Sequence, residues 1–244
     1  MKKYIVLLPA LLLIVCSLMA QTVTPDLARH ELNGGKVKSF DEVNAEGYDV
    51  DHADFNAKGL ENFLPYKVKR DKNGRAKSLY YSEHYTDGTY IAVDTFYYHG
   101  TENRLHLHYS YGEGINGGSI DAPTRVSHYT YKDNKNHPAT MVFIEANAYG
   151  QPTVISFYQF NYRKFDKRGN WIERENVYYD YMPEETEGVS NAVKQKILEL
   201  AVVLTNTHIS EAKRQKTEEA LIPLLKKNVK RQKMTTMREI EYYK

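Results

Sequence analysis

Residues 161–181 read NYRKFDKRGNWIERENVYYDY, in which two tyrosine-rich segments flank a turn that begins at Asp166 and ends at Gly169. At the first turn position Asp accepts hydrogen bonds from the following backbone N–H groups, and at the fourth position Gly adopts the left-handed conformation. Apolar and aromatic residues alternate with polar ones on both sides of the turn, as in strands with one buried face. This sequence therefore predicts a β-hairpin.

The same Asp/Asn-x-x-Gly spacing recurs at residues 56–59, 71–74 and 147–150. The heptapeptide FDKRGNW at residues 165–171 resembles the core of the YD (RHS-type) repeat, in which Tyr-Asp, two variable residues and Gly precede Asn or Arg. Phe165 stands in the Tyr position; the copy at 71–74, followed by Arg75, keeps Asp, Gly and Arg, and the other copies keep only the turn. The resemblance implies β-hairpin scaffolding in exported or surface proteins and brings no catalytic residues with it.

Nine segments alternate apolar and polar residues in the manner of strands. They are residues 67–70, 77–85, 90–99, 104–111, 126–131, 140–146, 154–162, 171–181 and 237–243. A glycine-rich segment, 112–123, predicts a long loop among them. We therefore expect a mainly β protein, α+β overall, with an antiparallel meander of about eight or nine strands in an open twisted sheet or an irregular barrel.

The hydrophobic period changes from two to about 3.6 after a linker at residues 183–188. Ser190 is a helix cap before an apolar stripe, and a second helical segment covers residues 210–231, where Pro223 is expected to kink or divide the helix. We expect both C-terminal helices to pack on the sheet or to project from it. The predicted division is a β-rich domain of YD-like hairpins at 21–188, which opens with an irregular lead-in over 21–64 holding one short strand or helix, and a helical region at 189–244.

The N-terminus has the charged and apolar regions of a secretory signal peptide over residues 1–20. Periplasmic or secreted localisation is therefore expected, without a transmembrane span in the mature chain. Cys16 is the one cysteine of the sequence, and Val15 precedes it where a lipoprotein signal has a small residue, so lipoprotein anchoring at Cys16 is the less favoured alternative. Cleavage after Ala20 leaves no disulfide, thiol nucleophile or cysteine metal ligand.

The sequence has 21 tyrosines but one tryptophan and eight phenylalanines. Tyrosine suits half-buried sheet faces, because its ring packs while its hydroxyl reaches water or a partner. One interpretation is a set of cross-strand ladders on a solvated sheet; the other is a surface on which sugars or other flat ligands stack. The candidate residues for ligand binding are Tyr158, Tyr162, Trp171 and Tyr179.

One segment has the spacing of a metal site. Gly100, His106, His108 and Glu113 resemble the first half of the first cupin motif, whose closing glycine would fall at Ile120. The resemblance implies a divalent metal held by His106, His108 and Glu113. Residues two apart on a strand project from the same face, so both imidazoles would face the ion. The alternative is that both are ordinary solvent-facing residues.

A basic run lies at the end of the second helical segment and just beyond it, at Lys226, Lys227, Lys230, Arg231 and Lys233. It predicts a solvated helix face or a contact with an anionic surface. Export argues against nucleic acid as a partner.

The sequence contains no Gly-x-Ser-x-Gly elbow, His-Glu-x-x-His helix or phosphate-binding loop. We therefore expect an exported, non-catalytic envelope or secreted scaffold or binding protein without a cofactor, whose partner is an unknown envelope protein or glycan. The alternatives are a cupin-like metal-dependent enzyme centred on His106, His108 and Glu113, and a carrier of a small apolar or sugar ligand.

Overall fold

The computed structural model describes residues 24–33, 36–62, 67–85, 88–100, 102–113, 123–132, 136–147 and 149–244, with the side chains of 81–92 and of Glu113 outside the description. The predicted signal peptide with Cys16, most of the predicted loop at 112–123 and part of the turn between the second and third predicted strands lie outside these residues.

The described residues form one open antiparallel sheet of eleven strands and three helices. The strands are β1 Val37–Asn44, β2 Asp49–Asp54, β3 Lys67–Arg70, β4 Ala76–Tyr85, β5 Gly88–Tyr98, β6 Leu105–Glu113, β7 Arg125–Thr130, β8 Thr140–Ala146, β9 Pro152–Phe165, β10 Trp171–Tyr181 and β11 Gln232–Tyr242. The helices are α1 Pro25–Arg29, α2 Asn191–Thr205 and α3 Glu211–Asn228. The sheet order is β2-β1-β11-β10-β9-β8-β7-β6-β5-β4-β3, so that β2 and β3 are its edges. The prediction of a mainly β fold with two C-terminal helices is confirmed.

The expected irregular lead-in over residues 21–64 is wrong for its described part, which contains α1, β1 and β2. Strand β2 carries no apolar alternation because it lies at the sheet edge, where five of its six residues are exposed. Strand β1 buries Glu42 beside its apolar residues. Neither strand shows the regular apolar and polar alternation by which a strand is recognised in a sequence.

The C-terminal region also differs in its bounds. Helix α3 is continuous from Glu211 to Asn228, with Pro223 inside it, so the proline does not divide the helix. The last strand begins at Gln232, five residues before the predicted start, and it pairs with both β10 and β1. The C-terminal strand therefore joins the N-terminal hairpin to the rest of the sheet.

The hairpin turns repeat one hydrogen-bond arrangement. In the turn between β9 and β10, Asp166 Oδ1 accepts from the backbone N–H of Arg168 at 2.8 Å and of Asn170 at 2.9 Å. Gly169 has φ +80° and donates to the Asp166 carbonyl at 3.1 Å. The same contacts form at Asn56, Asp71 and Asn147, as predicted, and at Asn44, which was not predicted.

The main hydrophobic core lies between α2, α3 and the middle of the sheet. Its strand residues include Tyr109, Val126, Ile144, Ile155, Phe157 and Tyr181, and its helix residues include Ile197, Ala201, Leu204, Leu221 and Leu225. Helices α2 and α3 thus pack against the same face of the sheet, and the opposite face is not covered by either of them. None of the helices within the described ranges is long and apolar enough to cross a membrane.

Helix α1 brings the two ends of the sheet together. Its buried Asp26 accepts hydrogen bonds from Arg70 of the edge strand β3, at 2.7 and 2.9 Å, and from the backbone N–H of Glu61, which follows β2. Arg29 pairs with Glu61 and lies over the Phe96 ring of β5, 5.1 Å from its centroid. The sheet is therefore curled, although its two edge strands do not pair with each other.

Candidate functional site

A cavity of about 330 Å³ opens on the face of the sheet that α2 and α3 leave uncovered. Its lining comes from the N-terminal segment and from strands distributed over most of the curled sheet. The residues are Arg29, His30, Glu31, Glu42, Val50, Asp51, Leu105, Tyr129, Tyr131, Pro138, Met141, Tyr158, Phe160, Arg174, Asn176, Met234 and Arg238. The cavity thus exists because the sheet curls.

One wall of the cavity is aromatic, with Tyr129, Tyr131, Tyr158 and Phe160. The Tyr158 ring stacks on Phe160 and on Tyr178, with ring centroids 6.3 and 5.5 Å apart. Burial raises the pKa of Tyr129 and of Tyr158 to about 12, so both hydroxyls remain protonated at neutral pH. This wall offers apolar ring faces together with neutral hydroxyl groups.

The floor of the cavity is a buried ion-pair network. Glu42 accepts from Arg174 through Oε1 and from Arg238 through Oε2, each at 2.8 Å, and Arg174 also donates to Glu31 at 3.1 Å. The two guanidinium carbons lie 4.4 and 3.8 Å from the ring of the fully buried Trp171. Charge-assisted hydrogen bonds to the bridging Glu42 and stacking on Trp171 hold both arginines in place, so the floor is preorganised.

On Arg174, Asn176 and Arg238, three polar atoms have no hydrogen-bond partner within the described part of the chain. They are the carbonyl oxygen Oδ1 of Asn176 and the Nε atoms of Arg174 and Arg238. The three residues are between 3% and 8% exposed. Buried polar groups are nearly always hydrogen-bonded, and a ligand that both donates and accepts would satisfy one acceptor and two donors on these cavity-lining residues.

The structure separates the four predicted ligand-binding residues. Tyr158 lines the cavity. Tyr162 donates to Glu31 at 2.8 Å, and Trp171 packs against the arginines. Both residues therefore contact the ion-pair network of the floor without lining the cavity themselves. Tyr179 lies on the opposite face and stacks on Phe157 in the helix-covered core.

The polar lining residues Arg174, Asn176 and Arg238 were missed by the sequence analysis. Arg174 and Asn176 occupy alternate positions of β10, a signal that places them on one face. Their partner Glu42 lies 132 residues away in sequence from Arg174, and no local pattern indicates that contact.

The structure does not bring the two predicted metal-binding histidines, His106 and His108, together. Tyr97 pairs with Leu107 and Tyr98 with Leu105, so His106 is the extra residue of a β-bulge. A bulge residue shifts the alternation by one, and the expectation that His106 and His108 share a face is therefore wrong. His108 Nε2 lies 2.9 Å from Asp94 Oδ1, and its ring stacks on Phe96. Glu113 ends β6.

His106 instead faces α3. Its Nε2 lies 2.9 Å from Oε2 of Glu211, and its ring meets the His128 ring edge-on, with centroids 4.6 Å apart. Burial lowers the pKa of His106, although Glu211 opposes that effect. Together, His106, His128 and Glu211 each offer one ligand atom within 4.8 Å of the others. These residue types are ligands of transition metals.

The basic run is distributed over α3, the turn after it and β11. Lys226 Nζ lies 4.8 Å above the Phe157 ring, and Lys233 pairs with Glu175 at 3.2 Å. Lys227, Lys230 and Arg231 are exposed. Contact with an anionic surface remains a prediction.

Comparison of the chain with protein-family models, with curated proteins and with solved structures gives no match.

Proposed function

We propose that this protein is an exported, non-catalytic binding protein that carries a small sugar in the cavity of its curled sheet. The observation that carries the proposal is the set of unpaired buried atoms on Asn176, Arg174 and Arg238, three residues that line a cavity with an aromatic wall. A sugar hydroxyl both donates and accepts hydrogen bonds, so neighbouring hydroxyls satisfy the amide oxygen and the guanidinium N–H groups at once.

The charges of the floor also favour a neutral ligand. Glu42 and Glu31 already neutralise Arg174 and Arg238 through short hydrogen bonds. An anion in the cavity would compete with these carboxylates, whereas a hydroxyl group uses the donors that they leave free. A volume of about 330 Å³ lies at the lower end of the range of ligand pockets, which suits a monosaccharide.

The test is a titration of the mature protein with a panel of neutral monosaccharides and disaccharides. Trp171 is the one tryptophan of the chain and contacts both arginines of the floor, so its fluorescence reports binding, and calorimetry measures the affinity. We expect saturable binding of at least one monosaccharide.

A matched pair of variants locates the site. Asn176→Leu removes the unpaired acceptor, and we expect affinity to fall roughly tenfold, about 1.4 kcal/mol. Asn161→Leu makes the same change on β9, at an exposed residue outside the cavity lining, and should bind as the unchanged protein does. The proposal fails if no sugar binds, or if Asn176→Leu binds as tightly as Asn161→Leu.

Export is proposed from the sequence of residues 1–20. Expression of the full chain in a bacterial host, followed by fractionation and mass spectrometry of the N-terminus, should find a periplasmic or secreted protein that begins at Gln21. A membrane-bound form that begins at a lipidated Cys16 would establish the alternative anchoring, and a cytoplasmic chain that retains Met1 would contradict export.

A further inference from the structure

The cluster of His106, His128 and Glu211 lies on the other face of the sheet, where α3 begins. His106 belongs to β6, His128 to β7 and Glu211 to the first turn of α3. Glu211 Oε2 is 2.9 Å from His106 Nε2, and Glu211 Oε1 is 3.6 Å from His128 Nε2. One carboxylate therefore spans two imidazole nitrogens.

His128 is prepared to act as a ligand. Its Nδ1 lies 2.6 Å from Oε1 of Glu218, and its side chain is 4% exposed. A carboxylate on Nδ1 keeps the proton on that nitrogen, so Nε2 presents its lone pair to the cluster. This Nε2 is buried and has no hydrogen-bond partner among the residues that the structure describes. A buried lone pair that faces a carboxylate oxygen is unfavourable, and either a proton on Nε2 or a metal cation between the two atoms removes the repulsion.

Two features of the chain create this arrangement. The β-bulge in β6 turns His106 toward the helix-covered face, where His128 already lies opposite Leu107. On α3, Glu211 and Glu218 are seven residues apart, which is two helical turns, so both carboxylates project toward the sheet. The buried Arg214 between them fixes the helix, because it donates to the Tyr109 hydroxyl at 2.6 Å and to the Leu204 carbonyl at 3.0 Å.

We propose that His106, His128 and Glu211 bind a divalent transition-metal ion, with Zn²⁺ as the representative ion, and that Glu218 positions His128. Two imidazoles and a carboxylate are ligands of Zn²⁺ and its neighbours, whereas Ca²⁺ and Mg²⁺ take oxygen ligands. Zn²⁺ holds such ligands at about 2.0–2.2 Å in a tetrahedron, so the ligand atoms need to close slightly from their present span of up to 4.8 Å.

The fourth coordination position faces a cleft. A space of about 400 Å³ adjoins the cluster, and its lining includes His99, Arg104, Tyr131 and Lys132. A water molecule or a ligand group can therefore complete the coordination of the ion. The ion would also join α3 to β6 and β7, so metal binding should stabilise the docking of the helix on the sheet.

The experiment uses the full mature chain without an affinity tag, freed of metal by a chelator and titrated with Zn²⁺ by calorimetry. We expect one equivalent to bind, and the midpoint of thermal unfolding to rise with Zn²⁺. Co²⁺ in place of Zn²⁺ should give the absorption spectrum of a tetrahedral site with nitrogen and oxygen ligands. A wild-type chain that binds no Zn²⁺ in the micromolar range would overturn the proposal.

The variants are chosen so that the fold survives. Glu211 is 58% exposed and His106 is 21% exposed, so Glu211→Gln and His106→Asn should fold and lose at least tenfold in affinity. Glu218→Gln keeps the shape of the positioning residue and should weaken binding about 10–100-fold, as is usual for partners of a ligand histidine. His108→Asn, on the opposite face, is the matched control and should bind Zn²⁺ normally.

Equal weakening by His106→Asn and His108→Asn would overturn the assignment of the ligands, as would unchanged binding in Glu211→Gln. Loss of the Zn²⁺-induced rise in unfolding temperature should accompany loss of binding in each ligand variant. The cleft beside the metal cluster and the proposed sugar cavity share Tyr129 and Tyr131 in their linings. The proposed metal ligands and the residues with unpaired atoms in the cavity floor are different residues, so failure of sugar binding leaves this proposal unaffected.

Discussion

Glu42 holds the two arginines of the cavity floor. Its side chain is 3% exposed and accepts from Arg174 and Arg238 at 2.8 Å each. We expect Glu42→Gln to lower the free energy of unfolding by about 3–5 kcal/mol, because it leaves two buried guanidinium groups with one fewer counter-charge. Denaturant unfolding measures this loss, and Glu46→Gln, at an exposed turn residue, should change stability little. A loss below about 1 kcal/mol would mean that Glu31 alone compensates both arginines.

His30 makes stability depend on pH. Burial and Arg29 lower its pKa, but the carboxylates of Glu61 and Asp51 outweigh them and raise it above 6.5. Burial raises the pKa of Glu61, but His30 and Arg29 outweigh burial and hold it below 4.5. Because its pKa is raised in the folded state, His30 stabilises the fold below pH 6.5, and this stabilisation is lost as pH rises through the folded-state pKa. Because its pKa is lowered in the folded state, the carboxyl group of Glu61 stabilises the fold above pH 4.5, and this stabilisation is lost as pH falls through the folded-state pKa.

We therefore expect this pair to contribute most between pH 4.5 and 6.5. Unfolding free energies measured from pH 6.5 upward should fall more steeply for the unchanged protein than for His30→Gln. The exposed His208 supplies the control, and His208→Gln should keep the original profile. Parallel profiles for all three proteins would rule out this role of His30.

Among the elements, the hairpin turns were the most predictable. Their Asp or Asn and Gly act within five residues of chain, so the sequence alone specifies their hydrogen bonds. The direction of His106 was not predictable in the same way. A bulge in β6 depends on how β5 pairs with it, and the sequence of one strand does not reveal the register of its neighbour.

Substitution of Gly169 tests whether the turn between β9 and β10 requires a residue with positive φ. The φ of Gly169 is +80°, and a Cβ placed there would meet nothing within 4 Å. The cost of Gly169→Ala is therefore purely conformational, and we expect about 1–2 kcal/mol less stability in denaturant unfolding. Lys167→Ala, at an exposed position of the same turn, should be nearly neutral. Equal stability of the two variants would show that the turn relaxes to another type.

At the scale of the whole molecule, the C-terminal region completes the sheet and supplies the main core. Strand β11 lies between β1 and β10, and α2 and α3 bury the central strands. We expect a mature chain that ends at Gly188 to lose cooperative unfolding, because it lacks both the helices and the strand that joins β1 to β10. Circular dichroism during thermal unfolding measures the transition. A cooperative transition in that shorter chain would support separate domains at 21–188 and 189–244.

The sequence by itself determined the β-strand content from residue 67 to 181, the turns and the two C-terminal helices, because each depends on residues close together in the chain. Only the tertiary structure decided the curl of the sheet, the insertion of β11, the arginine floor and the meeting of His106 with His128 and Glu211. These features join residues up to about 200 positions apart, such as Glu42 and Arg238. Their contacts depend on strand order and register, which local periodicity does not encode.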